Sequence, residues 1–162
     1  MSSRMNLAVI AVLGMALVVQ AEAGTFFRLE IGSSIAAGTD SKVKKDMKGT
    51  ALVVRPRLCD DEGSVQITGT AEGVVNGARQ SVTLRLVALP TPGVHAVQQQ
   101  WPDNGTWILH LWGTCPATKA SASTIVPMAK KGFIREKTQV LRQTATKTQI
   151  EAALLELHRS QS

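Results

Sequence analysis

The stretch between Ser81 and Cys115 constrains the fold more than any other, because it contains three strand-like runs separated by two turn sequences. The runs are residues 81–89, 94–101 and 106–112, and the turns are residues 90–93 and 102–105. Apolar and polar residues alternate in the first and third runs, which is typical of strands with a buried face. Proline and glycine in the turns remove a backbone donor and tolerate positive φ, respectively. We therefore predict a meander of consecutive antiparallel strands in an all-β fold.

The third run differs from the first because both of its faces are apolar. One face carries Trp107, Leu109 and Leu111, and the other carries Ile108, His110 and Trp112. Such a strand is either central in its sheet, with its second face covered by another structural element, or it leaves an exposed apolar patch.

Further strands are predicted at residues 25–31, 51–58, 64–70 and 122–128. In the first of these, Phe27, Leu29 and Ile31 point inward. Pro56 cannot donate a ladder hydrogen bond, so it indicates a sheet edge or an irregular strand end. Asn76-Gly77 predicts a tight hairpin that leads into the strand at residues 81–89.

A short amphipathic helix is predicted at residues 149–159. Thr148 and Glu151 have the spacing of a capping box. The apolar residues that follow have helical spacing; they are Ile150, Ala153, Leu154 and Leu157. The helix packs either on the face that carries Ile108 and Trp112 or against another molecule. The candidate interaction surface is therefore Ile108, Trp112, Ile150, Leu154 and Leu157.

The amino terminus has the pattern of a secretory signal peptide. Arg4 precedes an apolar run at residues 7–19, and Ala21-Glu22-Ala23 is a small-x-small cleavage sequence. The predicted organisation is a signal peptide at 1–23, a β-sandwich domain at 24–135, and a linker with the C-terminal helix at 136–162. This organisation places the mature chain in a secreted or periplasmic location, without a transmembrane segment.

Cys59 and Cys115 are the chain's two cysteines. In an exported chain we expect one disulfide between them, which would join an early strand to the last strand of the meander. Two separate buried thiols are the alternative.

Composition argues against several functional classes. The net charge of +6 favours loose contact with anionic surfaces, but the basic residues are scattered, so nucleic acid is not an expected partner. Nucleophile elbows, zinc-protease motifs and phosphate-binding loops are absent from the sequence, and we expect no enzyme activity and no cofactor.

One metal-binding hypothesis arises from the predicted meander. His95 and His110 would lie diagonally on neighbouring strands, and with Met47 or Met128 they would form a soft site for copper. The alternative is that each imidazole packs or hydrogen-bonds individually. The three tryptophans pose a similar choice, because Trp101, Trp107 and Trp112 form either a ligand-stacking surface or part of the core.

A local resemblance adds to these expectations. Pro92-Gly93-Val94-His95-Ala96-Val97 followed by Trp101-Pro102-Asp103-Asn104-Gly105-Thr106-Trp107 resembles the final hairpin of small exported immunoglobulin-like domains of the YtkA/FixH type. The resemblance implies an immunoglobulin-like sandwich with an exported accessory or copper-associated role. We therefore expect a non-enzymatic binding or scaffolding module whose partner is another envelope protein. The alternative is a periplasmic copper-binding accessory protein.

Overall fold

A computed structural model describes residues 26–33, 47–130 and 132–161, so the predicted signal peptide lies outside the described residues. The strands are β1 (Arg28–Gly32), β2 (Thr50–Arg57), β3 (Gln66–Val75), β4 (Ala78–Thr83), β5 (Arg85–Ala88), β6 (His95–Gln98), β7 (Thr106–Thr114), β8 (Ser121–Ala129), β9 (Gly132–Phe133) and β10 (Gln139–Leu141). The helix α1 spans Lys147–Gln161.

The strands form two antiparallel sheets packed face to face, which confirms the predicted all-β sandwich. Sheet A has the order β1-β2-β6-β5, and sheet B has the order β10-β8-β7-β3-β4, with β9 pairing to the end of β8. Alternate side chains of both sheets fill the space between them. The fully buried members of this core include Leu29, Leu52, Val54, Val97, Leu109, Leu111 and Val126.

The predicted meander is confirmed only for its first turn, at residues 90–93, which closes the β5–β6 hairpin; its third strand belongs to the other sheet. β5 and β6 pair in sheet A, whereas β7 lies in sheet B between β3 and β8. The turn at residues 102–105 therefore crosses from one sheet to the other instead of closing a hairpin. The alternation of apolar and polar residues predicts that one face of a strand is buried. It does not show which of the two sheets of a sandwich contains the strand, because strands of both sheets bury one face in the same core.

The Asn76-Gly77 hairpin is confirmed. β3 and β4 pair up to Val75 and Ala78, and the two turn residues have φ angles of 49° and 79°. Both central residues of a type I′ turn require positive φ, which asparagine and glycine tolerate better than other residues.

The run predicted at residues 81–89 is divided between the two sheets. β4 is the outer strand of sheet B, and β5 is the outer strand of sheet A. Only Leu84 separates them, and its N–H still donates to the Gly69 carbonyl of β3 at 3.0 Å. A single extended segment thus forms one edge of both sheets.

The helix packs on the outer face of sheet B. Leu154, Leu157 and Ala153 are buried against Ile108 of β7 and Ile125 of β8. This contact confirms that β7 is a central strand with its second face covered by another element. Arg79 of β4 also forms ion pairs with Glu151 of the helix (2.8 Å) and Glu72 of β3 (3.0 Å).

The cap of the helix lies two residues earlier than predicted. The Gln149 N–H donates to Thr146 Oγ1 at 3.3 Å, and the Thr146 N–H donates to Gln149 Oε1 at 2.9 Å. These reciprocal bonds form the capping box, and Glu151 binds Arg79 instead. The segment predicted as a linker with the C-terminal helix, residues 136–162, also contains β10, which pairs with β8.

Pro56 lies at an irregular strand end rather than at a sheet edge. β2 is an inner strand of sheet A, but its pairing with β6 stops at Val54, so Pro56 pairs only with Leu29 of β1. A proline at this position costs no hydrogen bond to β6.

Candidate functional site

The predicted disulfide is confirmed, and it joins the two sheets. Cys59 follows β2 of sheet A, Cys115 follows β7 of sheet B, and their Cα atoms are 5.7 Å apart. Both cysteines are buried, at 8% and 0% exposure. The bridge therefore fixes one end of the sandwich.

An open groove of about 360 Å³ lies on the outer face of sheet B at this disulfide-linked end. It is lined by Ser64, Gln66, Thr68, Trp112, Gly113, Thr114, Pro116 and Lys119. Gln66 lies opposite Thr114, and Thr68 lies opposite Trp112, in the pairing of β3 with β7. Opposite residues of an antiparallel pair point to the same face, so this pairing places three polar side chains around one indole.

The rim of the groove is a turn held by two constraints. Within residues 115–120, the Cys115 N–H donates to the Ala120 carbonyl at 2.8 Å, and the Lys119 N–H donates to the Cys115 carbonyl at 2.9 Å. The disulfide holds Cys115 itself to the other sheet. Lys119 is the single charged residue of the lining, and the turn fixes its backbone at positive φ (59°).

Trp112 is the aromatic wall of the groove. Its ring stacks on His110, with centroids 4.7 Å apart and planes at 27°. His110 and Trp112 point to the same face of β7, so the imidazole covers the side of the indole nearer to residue 110. The other side of the indole is turned toward Thr114 and the groove.

The predicted interaction surface divides into two parts in the structure. Ile108, Leu154 and Leu157 are buried against one another, and Ile150 packs beside them, so these four residues hold the helix to its own sandwich. Trp112 is half-buried and lines the groove. Only the Trp112 part of the predicted surface is therefore open to a ligand.

The predicted histidine site is not assembled. His95 lies in sheet A opposite Val54, a core residue, whereas His110 points away from the core on the outer face of sheet B. Sheet B thus separates the two imidazoles. His95 Nδ1 lies 3.0 Å from the Gly93 carbonyl, Met128 is buried in β8, and Met47 precedes β2. The hypothesis was wrong because it depended on a hairpin that does not form.

Metal ligands are not clustered elsewhere in the described part of the chain. No group of three or more histidine, cysteine, aspartate or glutamate residues there is arranged to hold a metal ion. Among the same residues, no helix is both long enough and apolar enough to cross a membrane.

The three tryptophans have different positions in the structure. Trp101 and Trp107 belong to the core, and the Trp107 Nε1–H donates to the Asn104 carbonyl at 2.8 Å. Only Trp112 is placed to stack on a ligand. The polar lining was missed by sequence reasoning, because Gln66 and Thr68 are ordinary outward residues of a strand and only strand pairing places them beside Trp112.

His110 is buried, and one of its ring nitrogens has no hydrogen-bond partner among the described residues. The side chain is 5% exposed, and the nitrogen concerned is Nε2. Burial lowers the pKa of His110 from its usual 6.5, and this effect outweighs the opposing influence of the Glu72 carboxylate. The imidazole is therefore neutral in the folded protein at neutral pH.

This burial predicts a stability change in mild acid. The unfolded chain takes up a proton near pH 6.5 and the folded chain does so only at lower pH, so stability falls as pH drops below 6.5. One such group contributes a slope of at most about 1.4 kcal/mol per pH unit. The hydrogen bond from Arg79 lowers the pKa of Glu151 from 4.5, so this carboxylate acts in a more acidic range.

Urea denaturation between pH 7.5 and 5 measures the effect. We expect His110→Phe, which keeps a ring against Trp112, to unfold at the wild-type urea concentration at pH 7.5 and to lose much of the acid dependence. Equal slopes for His110→Phe and the wild-type protein would contradict the assignment.

Comparisons with protein-family models, with curated proteins and with solved structures found no match.

Proposed function

We propose that this chain is a non-enzymatic binding module of the cell envelope and acts in a secreted or periplasmic location. The observation that supports the proposal is the groove beside the inter-sheet disulfide. Its rim, the turn at residues 115–120, is held by the Cys59–Cys115 bridge, and its floor is formed by β3 and β7, which pair with each other along the whole groove. A site of this kind loses little conformational entropy when a ligand binds.

The disulfide also supports the proposed location. Protein disulfides persist mainly in oxidising compartments, and this bridge joins two sheets of one core. Export agrees with the signal sequence predicted at residues 1–23. The copper-binding alternative depended on a shared site for His95 and His110, and no observation now favours it.

The experiment is fractionation of the native host followed by binding to its isolated envelope. We expect the mature protein to start at Gly24, to lie outside the cytoplasm and to contain no alkylatable thiol before reduction. We also expect the purified, oxidised protein to sediment with washed envelope fragments. A cytoplasmic protein with two free thiols, or one that leaves the envelope fragments entirely in the supernatant, would contradict the proposal.

A further inference from the structure

We infer that the groove binds a saccharide with a carboxylate group, and that a pyranose ring of this ligand stacks on Trp112. The inference rests on the proposed function and assigns a ligand class to the same site. Three features of the groove support it: the free side of the indole, the polar groups around it and the lysine at its rim.

The indole offers a flat apolar surface in a polar setting. One side of Trp112 is covered by His110 at a centroid distance of 4.7 Å, which holds the indole in place and leaves its other side to the groove. A pyranose ring has a face of C–H groups and a rim of hydroxyl groups. It can therefore cover an aromatic ring while its hydroxyls reach polar neighbours.

The polar neighbours have unused hydrogen-bonding capacity. Gln66 and Thr68 are exposed, and their side chains form no hydrogen bond with the described residues. Ser64 donates its hydroxyl proton to the Asp61 carbonyl at 2.9 Å, which leaves its oxygen able to accept. Few but convergent polar groups around an apolar surface are typical of small-ligand sites.

Lys119 gives the groove its charge preference. It is the single charged residue of the lining, and it forms no ion pair within the described residues. Its backbone is held at the rim by the bond to Cys115, so the ammonium group can reach a ligand in the groove. A carboxylate on the ligand would complement this charge.

The strand pairing favours a saccharide over an extended peptide. Peptides that add to a sheet need a free strand edge, because most of their affinity comes from main-chain hydrogen bonds. The floor of this groove consists of β3 and β7. β7 is paired on both sides, whereas β3 pairs with β4 only from Thr70 onward, so its edge beside Gln66 and Thr68 is not paired with another strand. A peptide that added to this edge would lie on the side of β3 away from β7, and therefore away from Trp112.

The test is binding of the disulfide-bonded protein to an array of neutral and carboxylate-bearing glycans, followed by calorimetric titration with the glycan that is retained best. We expect retention of carboxylate-bearing glycans. Trp112→Ala should weaken binding at least tenfold, whereas Trp112→Phe should lose less because it keeps a ring. Melting curves of both variants show whether the fold is kept.

Two matched variants test how much the charge of Lys119 contributes to ligand binding. Lys119→Gln should weaken binding severalfold and reduce its salt dependence. Lys130→Gln removes the same charge from an exposed turn outside the groove and should bind as the wild-type protein does. Equal losses for the two variants would show general attraction to a basic protein and would overturn the role of Lys119.

Other outcomes overturn the saccharide site while leaving the proposed function intact. These are the absence of any retained glycan, retention of neutral glycans only, or full binding by a folded Trp112→Ala variant. If envelope fragments still retain the protein in those cases, the module binds another component. Conversely, if the protein were found in the cytoplasm and still bound glycans, the proposed envelope role would be contradicted, but the saccharide site would remain supported.

Discussion

Replacing Leu154 and Leu157 together by alanine should lower the free energy of unfolding by at least about 4 kcal/mol, because each buried leucine-to-alanine change costs about 2–5 kcal/mol. Leu154 and Leu157 are 3% and 1% exposed and contact the outer face of sheet B. Alanine is a good helix former, so the loss would come from packing and not from helix propensity. Urea denaturation monitored by circular dichroism measures the change.

Leu155→Ala is the matched control, because Leu155 lies on the same helix and is 50% exposed. It should change the stability by less than about 0.5 kcal/mol, as for most surface substitutions. Truncation after Ala145 should destabilise the domain in the same direction as the double variant. If the double variant unfolds at the wild-type urea concentration, the helix does not stabilise the sandwich.

Removing the disulfide with Cys59→Ala and Cys115→Ala together should cost about 4 kcal/mol in the chain-entropy model. The estimate follows from the separation of 56 residues between the cysteines, since a longer closed loop restricts the unfolded chain more. Alanine is used because both positions are buried and a hydroxyl group there would lack a partner.

The wild-type protein under reducing conditions should lose a similar amount of stability, since it lacks the same cross-link. Agreement between the reduced protein and the double alanine variant separates the effect of the bridge from that of the missing side-chain atoms. A double variant as stable as the oxidised wild-type protein would contradict the prediction.

Much of the fold was predictable because its signals are local. Alternation around Leu109 marked a strand, Asn76-Gly77 marked a hairpin, and the spacing of Leu154 and Leu157 marked a helix. The two apolar faces of β7 also predicted that another element covers it. Each of these inferences depends on residues close together in the chain.

The sheet assignment was not predictable in the same way. The turn after Trp101 has the same proline and glycine signals whether it closes a hairpin or crosses between sheets, because those signals report only local backbone geometry. Placing β6 and β7 in one sheet put His95 near His110 and produced the incorrect copper site. The groove was missed for the converse reason, since its polar residues come together only through long-range pairing.

The segment from β4 to β5 determines how the sandwich can open. Because residues on both sides of Leu84 belong to one continuous chain, the two sheets are covalently joined along this side and separate there only if that segment leaves its neighbours. On the opposite side the sheets are joined by weaker links, such as the hydrogen bond from Thr124 Oγ1 to the Leu29 carbonyl at 3.0 Å. We therefore expect the two sheets to separate more readily between β1 and β8 than at Leu84.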